Sequence, residues 1–123
     1  MTLIEMARRF HALASPPWLL DETAFAELLA GIEQTGFLRV EENGFIAGVI
    51  VENPLSPKWL IAKEFLWWSA DGGGLRLASA FRRWAKARGA SEIQWSCPPN
   101  AQRARALIAK RAEMSELVFS EYV

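Results

Sequence analysis

The sequence has little of what holds small proteins together through covalent bonds or metal ions. Its 123 residues include one cysteine, Cys97, and one histidine, His11. One cysteine excludes an intramolecular disulfide, which fits a reducing compartment, and the chain offers no cluster of metal ligands. We therefore predict no metal site. Cys97 and His11 could supply a thiol nucleophile, but Cys97 stands between an apolar segment and Pro98-Pro99, where a buried thiol is commoner.

Net charge and long apolar runs are also missing. Lys and Arg number 14, as do Asp and Glu, so the formal net charge of zero gives no general attraction to nucleic acid or anionic membranes. No run reaches the roughly 18 apolar residues of a membrane span, and the first residues lack the apolar run of a signal peptide. We expect a cytoplasmic protein without nucleic-acid or membrane partners. Positive charge is local: residues 76–111 hold nine Arg or Lys and one acidic residue, Glu92.

The sequence does contain enough apolar material for one folded domain. Hydrophobic residues make up 51% of the chain and charged residues 23%, which is typical of globular proteins. A length of 123 residues suits a single domain with one real core. Because no repeat, low-complexity tract or linker divides the chain, we predict one domain over residues 1–123.

Periodic apolar positions predict two helices at the start of the chain. The first covers Leu3–Leu13 and ends before Ser15-Pro16-Pro17, because proline cannot continue a helix. The second begins after the N-cap residue Asp21 and runs to about Gln34. Its apolar face is predicted to bury four side chains: Phe25, Leu28, Leu29 and Ile32.

A β-hairpin is predicted next. Its strands are Phe37–Glu41 and Phe45–Val51, and Asn43-Gly44 between them favours a type I′ turn, in which both central residues have positive φ. Gly48, in the middle of the second strand, marks a bulge or a close approach of another group to the backbone.

A strand, a glycine turn and a helix form the centre of the predicted fold. After a loop at 53–58, the apolar segment Trp59–Trp68 suits a buried central strand. Gly72–Gly74 then leads into an amphipathic helix, Leu75–Arg88, which Gly89 ends. Bare N–H groups at a helix N-terminus bind phosphate well, and glycines let an anion approach the backbone. A simple tight connection between strand and helix is the alternative.

The end of the chain predicts a strand at Glu92–Cys97, a helix at Ala101–Arg111 and a last strand at Leu117–Tyr122. The order of all elements indicates an α/β fold with a mixed sheet and helices on both faces. Between the central strand and the third helix we expect a shared core of five side chains: Phe65, Leu77, Phe81, Trp84 and Ile93.

Taken in order, these segments resemble the GNAT family of N-acetyltransferases over about residues 20–123. Gly72–Gly74 is similar to the Gly-x-Gly of that family's acetyl-CoA loop, and Arg88–Ala90 to the end of its third helix. Glu64 stands where many members carry a Glu. The resemblance implies a GNAT-like acyl-CoA acyltransferase fold with acetyl-CoA as co-substrate.

The resemblance also implies the roles of particular residues. An acetyl group would pass to a primary amine, on a small molecule or a protein, by direct attack on the thioester, with Glu64 as the base. Other residues would bind the co-substrate: Leu66, Trp67 and Asn100 at the pantetheine, and Gly72, Gly73, Gly74, Leu75 and Arg76 at the pyrophosphate.

Three departures from the family leave other hypotheses open. Asp71 adds negative charge beside the proposed phosphate site. Ile108 stands near the position at which many members of the family have a tyrosine that acts as general acid. The only tyrosine of this chain is Tyr122. The chain could be an active N-acetyltransferase, or a GNAT-fold protein that binds CoA or a partner without catalysis. The third hypothesis is a structural or assembly protein with protein partners, similar to GNAT-like proteins of tailed phages, located in a virion.

Overall fold

The computed structural model describes residues 1–97, 102–114 and 119–123. The helices are α1 (Leu3–Ala14), α2 (Glu22–Thr35), α3 (Gly74–Ala87) and α4 (Gln102–Ala109). The strands are β1 (Phe37–Glu41), β2 (Gly44–Asn53), β3 (Ser56–Ser69) and β4 (Glu92–Gln94). They form one sheet in the order β1-β2-β3-β4, in which β3 and β4 are parallel and the other neighbours antiparallel. The predicted mixed sheet is confirmed.

Local capping defines the first two helices, of which the cap at Asp21 was predicted. At the start of α1, Glu5 N–H donates to Thr2 Oγ1 at 3.2 Å, and Thr2 N–H donates to Glu5 Oε2 at 2.7 Å. Ser15 ends α1 in the left-handed region, with φ 47°. Asp21 caps α2 by accepting the N–H of Ala24 at 2.9 Å. These bonds satisfy backbone groups that a helix end leaves without partners.

The β1–β2 hairpin is confirmed, but its type I′ turn is not. The loop residues are Glu42 and Asn43, neither of which has positive φ, and Gly44 already belongs to β2. The C=O of Asn43 accepts the N–H of Ala70 at 2.8 Å, so the segment after β3 holds this turn. A Cβ on Gly44 would lie 2.9 Å from the C=O of Trp68, so glycine serves close strand packing here rather than the turn.

The predicted loop at 53–58 is wrong, because β2 and β3 pair as far as Asn53 and Ser56. Only Pro54 and Leu55 connect them. Asn53 Oδ1 accepts the N–H of Leu55 at 2.9 Å, which closes a short turn by a side-chain bond. Pro57 is the second residue of β3, and a missing N–H is tolerated at such a strand end.

A β-bulge lies opposite Gly48, as the glycine predicted. β3 carries one extra residue, Phe65, between the residues that pair with Ala47 and Gly48. Phe65 is 43% exposed, so its predicted burial is wrong: a bulge residue has no partner and breaks the alternation of faces. A Cβ on Gly48 would lie 2.5 Å from the ring of Phe81, so the bare backbone admits this ring.

Helices cover both faces of the sheet, as predicted. The core on the α1–α2 face contains Met6, Ala7, Phe25, Leu29, Ile32, Phe45 and Ala47. The core on the α3 face contains Ile46, Ala62, Leu77, Phe81 and Ala85, with Trp84 and Ile93 packed against it. The prediction for Leu28 is wrong, since this side chain is 48% exposed at the edge of the α2 face.

The last elements are shorter than predicted. β4 stops at Gln94 rather than Cys97, because its pairing with β3 ends there. α4 lies within the predicted range 101–111. Asn100 and the first two residues of the predicted last strand lie outside the described residues, and residues 119–122 are not in a strand.

Candidate active site

β3 and β4 separate at the point where a site can form. Their parallel pairing ends with Lys63 and Gln94. β3 continues to Ser69, paired on its other side with β2. Within the described ranges, no strand pairs with the β4-side edge of β3 from Glu64 onward. This length of β3 therefore presents backbone donors and acceptors to a ligand.

A cleft of about 350 Å³ extends from this separation toward the N-terminus of α3. Its size lies within the range of small-molecule sites. It is lined by Leu13, Trp67, Trp68, Ser69, Gly72, Gly74, Cys97, Gln102, Arg103, Ala104 and Leu107. The cleft thus runs from the end of β4, past β3 and the glycine turn, to α4.

The glycine turn brings the N-terminus of α3 to one end of this cleft. Gly72 has φ 83°, a conformation that disfavours residues with a side chain. The indole N–H of Trp67 donates to the C=O of Gly74 at 3.1 Å and ties the turn to β3. α3 has no side-chain cap, and a first helical turn carries N–H groups without intrahelical partners beside the positive end of the dipole. This end of the cleft is suited to an anion.

Asp71 already occupies part of the turn. Its carboxylate accepts the N–H of Gly73 at 3.0 Å, the hydroxyl of Ser69 at 3.0 Å and the side-chain amide of Asn43 at 3.3 Å. These hydrogen bonds, that of Gly73 above all, hold the pKa of Asp71 below its ordinary value. Asp71 therefore orders the turn but places a negative charge where a phosphate would bind.

Two arginines flank the turn. Arg76 pairs with Glu41 at 3.2 Å, and a Cβ on Gly73 would lie 2.8 Å from its guanidinium. Arg103 of α4 approaches from the other side, 3.3 Å from where a Cβ on Gly72 would stand, and forms no ion pair within the described part of the chain. Arg103 was not predicted as a site residue, and the local excess of basic residues is the only signal for it in the sequence.

Glu64 stands where β3 and β4 separate. It is 0% exposed, and neither carboxylate oxygen has a hydrogen-bond partner of normal geometry among the described residues. Burial raises the pKa of Glu64 to about 8, against a smaller opposing effect of the Ser96 backbone. Its charge also raises the pKa of Cys97, a residue that follows the end of β4 by three positions. A carboxyl group with a pKa near neutrality is suited to proton transfer.

The remaining predicted residues divide between two faces of the sheet. Trp67, Gly72 and Gly74 line the cleft, whereas Leu66 lines a second groove of about 320 Å³ against α1 and α2. The side chain of Leu75 is 54% exposed. In the part of the chain that the structure describes, no three His, Cys, Asp or Glu residues form a metal-binding group, and no helix is long and apolar enough to cross a membrane.

Comparison with known proteins identifies the fold through structure rather than sequence. No protein-family model matches the chain, and no curated protein sequence matches it. Solved structures do: a protein from Pyrococcus furiosus assigned as an acetyl transferase has a TM-score of 0.68 at 16% identity, over 98% of this chain and 94% of that one. The chain has the GNAT acyltransferase fold.

Two further GNAT structures extend the likeness over nearly the whole chain. The aminoglycoside acetyltransferase AAC(6')-Iy, bound to the bisubstrate analogue CoA-S-monomethyl-acetylneamine, has a TM-score of 0.64 at 19% identity, over 98% of this chain and 90% of that one. Glucosamine-6-phosphate N-acetyltransferase from Arabidopsis thaliana has a TM-score of 0.61 at 12% identity, over 98% and 94%. At these identities the likeness establishes the GNAT fold and leaves the roles of individual residues to chemistry.

Proposed function

We propose that this protein is an acetyl-CoA-dependent N-acetyltransferase that moves an acetyl group to a primary amine by direct attack. The carboxyl group of Glu64 carries the proposal: it is buried where β3 and β4 separate, with no hydrogen-bond partner of normal geometry among the described residues. Burying an ionisable group without a partner is costly, so its presence favours a function for it. The cleft beside it and the GNAT fold support acetyl-CoA as the co-substrate.

The residues around the cleft fit the chemical parts of acetyl-CoA. The N–H groups of the turn from Gly72 to Arg76 would bind the pyrophosphate. The guanidinium of Arg103, which has no ion pair within the described ranges, would stand beside them. The free edge of β3 at Leu66 and Trp67 would pair with the amide groups of the pantetheine arm. Asn100 is proposed as a further pantetheine contact. Acetyl-CoA itself supplies an activated thioester.

Glu64 would act as the base. A primary amine is protonated at neutral pH and must lose a proton to attack, and the Glu64 carboxylate would accept that proton directly or through one water. The new C–N bond then forms as the C–S bond of the thioester breaks. The nitrogen gives up its second proton and the sulfur of CoA takes one up, so that one proton is released overall. Because the pKa of Glu64 is about 8, the ionised fraction grows as the pH rises through 8. We expect the rate to rise over the same range.

The acceptor is an amine on a small molecule or a protein. The solved relatives act on or bind amines of sugars and aminoglycosides, which supports this class of acceptor here. A second candidate function is a GNAT-fold protein that binds a protein partner without catalysis, in the cytoplasm or in a virion. The carboxylate of Asp71 on the N–H of Gly73 favours this alternative, because it opposes phosphate binding.

The experiment measures free thiol released from acetyl-CoA with a panel of primary amines. Wild type should turn over with at least one amine. Glu64→Gln should lower kcat at least about tenfold with little change in the KM for acetyl-CoA, because a general base contributes roughly 10²–10⁴-fold. Glu27→Gln, on the exposed surface of α2, is the matched control and should behave as wild type. If wild type acetylates none of the amines in the panel, the proposal is contradicted.

A further inference from the structure

A proton donor is also needed for the thiolate that leaves acetyl-CoA. Two of the polar groups that line the cleft are already engaged: the hydroxyl of Ser69 donates to Asp71 at 3.0 Å, and the indole of Trp67 donates to Gly74. Ile108 has no proton to give. The tyrosine at Tyr122 is 70% exposed and does not line the cleft. The donor must therefore be sought among the other groups at the cleft wall.

Cys97 is a weak acid that lines the cleft. It follows the end of β4 by three residues, and so lies where β4 leaves β3. The sequence favoured a buried structural thiol, but Cys97 is only half-buried. Burial and, next, the charge of Glu64 raise the pKa of Cys97, while Arg105 opposes them. The thiol therefore keeps its proton at neutral pH.

The carboxyl group of Glu64 points toward the same place. It belongs to the first residue of β3 beyond the pairing with β4, and it is fully buried with no hydrogen-bond partner of normal geometry among the described residues. The backbone of Ser96, the residue before Cys97, acts on its pKa. Both residues thus follow the end of the β3–β4 pairing, Glu64 by one residue on β3 and Cys97 by three residues after β4. Cys97 lines the cleft, whereas Glu64 is fully buried and would reach a bound amine through one water.

We propose that Cys97 is the proton donor to the departing thiolate of CoA and works as a pair with Glu64. The inference rests on the proposed function. In the step, the ammonium first loses one proton to solvent by way of Glu64. The neutral amine then attacks, the C–N bond forms and the C–S bond breaks, the sulfur of CoA takes the proton of Cys97, and Glu64 takes the second proton from the nitrogen. The Glu64 carboxylic acid then returns that proton to the Cys97 thiolate. The sum is transfer of one acetyl group from sulfur to nitrogen and of one proton from nitrogen to sulfur, with one proton released to solvent and both side chains restored.

A thiol suits this task because donor and acceptor are the same kind of group. Proton transfer between the thiols of Cys97 and CoA has a small driving force in either direction. This is favourable for a general acid that must be protonated again in each cycle. A cysteine that stays protonated is a poor nucleophile, so it is protected from unwanted attack on the thioester.

The kinetic test uses Cys97→Ala with the amine that wild type accepts. We expect kcat to fall at least about tenfold, with the KM for acetyl-CoA unchanged. The rate of wild type should also fall at high pH as the thiol loses its proton, and Cys97→Ala should lack this alkaline limb. Wild type without turnover overturns the proposed function and this inference together. Turnover with full activity in Cys97→Ala overturns this inference alone.

A second measurement needs no turnover. Cys97 is the only cysteine, so iodoacetamide labelling followed by mass spectrometry reports on it alone. The pH midpoint of labelling should be lower in Glu64→Gln, because a negative charge beside the thiol is lost. Glu52→Gln, on the exposed surface of β2, should keep the wild-type midpoint, and CoA should slow labelling in all three proteins. An equal midpoint in Glu64→Gln and wild type overturns the pairing.

Discussion

The carboxylate of Asp71 accepts a hydrogen bond from the backbone N–H of Gly73 at 3.0 Å, at the N-terminal end of α3. This bond gives the turn its order and places a negative charge beside the donors that a pyrophosphate would use. The same carboxylate holds Asn43 of the β1–β2 hairpin, so the turn is anchored to the sheet. Its charge and its geometry thus have opposite effects on a bound anion.

Asp71→Asn separates these two effects. The amide oxygen can still accept the N–H of Gly73, but the like charge is gone. We expect acetyl-CoA to bind about three- to tenfold more tightly, measured by calorimetry. Asp21→Asn removes the same charge at the cap of α2, where Asn is an equally good cap, and should leave the affinity unchanged. Weaker binding by Asp71→Asn would mean that the order which Asp71 gives the glycine turn affects acetyl-CoA binding more than its negative charge does.

The core under α3 is tested by two phenylalanines. Phe81 is fully buried against the bare backbone of Gly48, so Phe81→Ala should lower the free energy of unfolding by about 3–5 kcal/mol. Phe65, the exposed bulge residue, is the matched control, and Phe65→Ala should cost less than about 1 kcal/mol. Urea denaturation measures both. A cost below about 1 kcal/mol for Phe81→Ala would mean that α3 does not pack its Phe81 face against the sheet.

Burial of Glu64 predicts a pH-dependent stability. In the unfolded chain the carboxyl ionises near its ordinary pKa of 4.5, whereas in the folded protein its pKa is about 8. Between these values the folded state holds a proton that the unfolded state has lost, so stability falls as the pH rises, and the full penalty is present above 8. The contribution is at most about 1.4 kcal/mol per pH unit.

Glu64→Gln removes that titration. The difference in stability between Glu64→Gln and wild type should change in favour of the variant from pH 5 to pH 9, because only wild type loses stability over this range; chemical denaturation across the range measures it. Glu92→Gln is a useful comparison, because the pKa of Glu92 is lowered by its hydrogen bond from Trp59 and contributes no loss of stability at alkaline pH. A constant difference between Glu64→Gln and wild type would show that Glu64 ionises normally in the fold.

Local signals predicted much of the fold. The capping residue Asp21, the prolines after α1 and the amphipathic spacing of α3 act over a few residues, and the elements follow them. Gly48 predicted a bulge because a glycine inside a strand signals a close approach. Three glycines after an apolar strand predicted the turn that brings α3 to the cleft.

Features that depend on tertiary contacts were not predictable in this way. The turn at Asn43 is held by a hydrogen bond from Ala70, which is distant in the sequence. Most of the predicted loop at 53–58 belongs to the paired strands β2 and β3. The bulge turned Phe65 outward, although simple alternation predicts burial. At the site, Arg103 and Cys97 join the cleft only because α4 and the end of β4 lie across from the glycine turn. Nothing within a few residues of either one indicates that position.

The most direct test of the account is calorimetric titration of wild type with acetyl-CoA, compared with Gly74→Val. A Cβ on Gly74 would point to the indole of Trp67, 3.4 Å from its nitrogen, so valine would fill the cleft beside the turn. Gly31→Val, where a Cβ meets nothing within 4 Å, is the control. We expect one saturable site for acetyl-CoA in wild type and in Gly31→Val, and none in Gly74→Val. Absence of saturable binding in wild type, or equal affinity in all three proteins, would contradict the account.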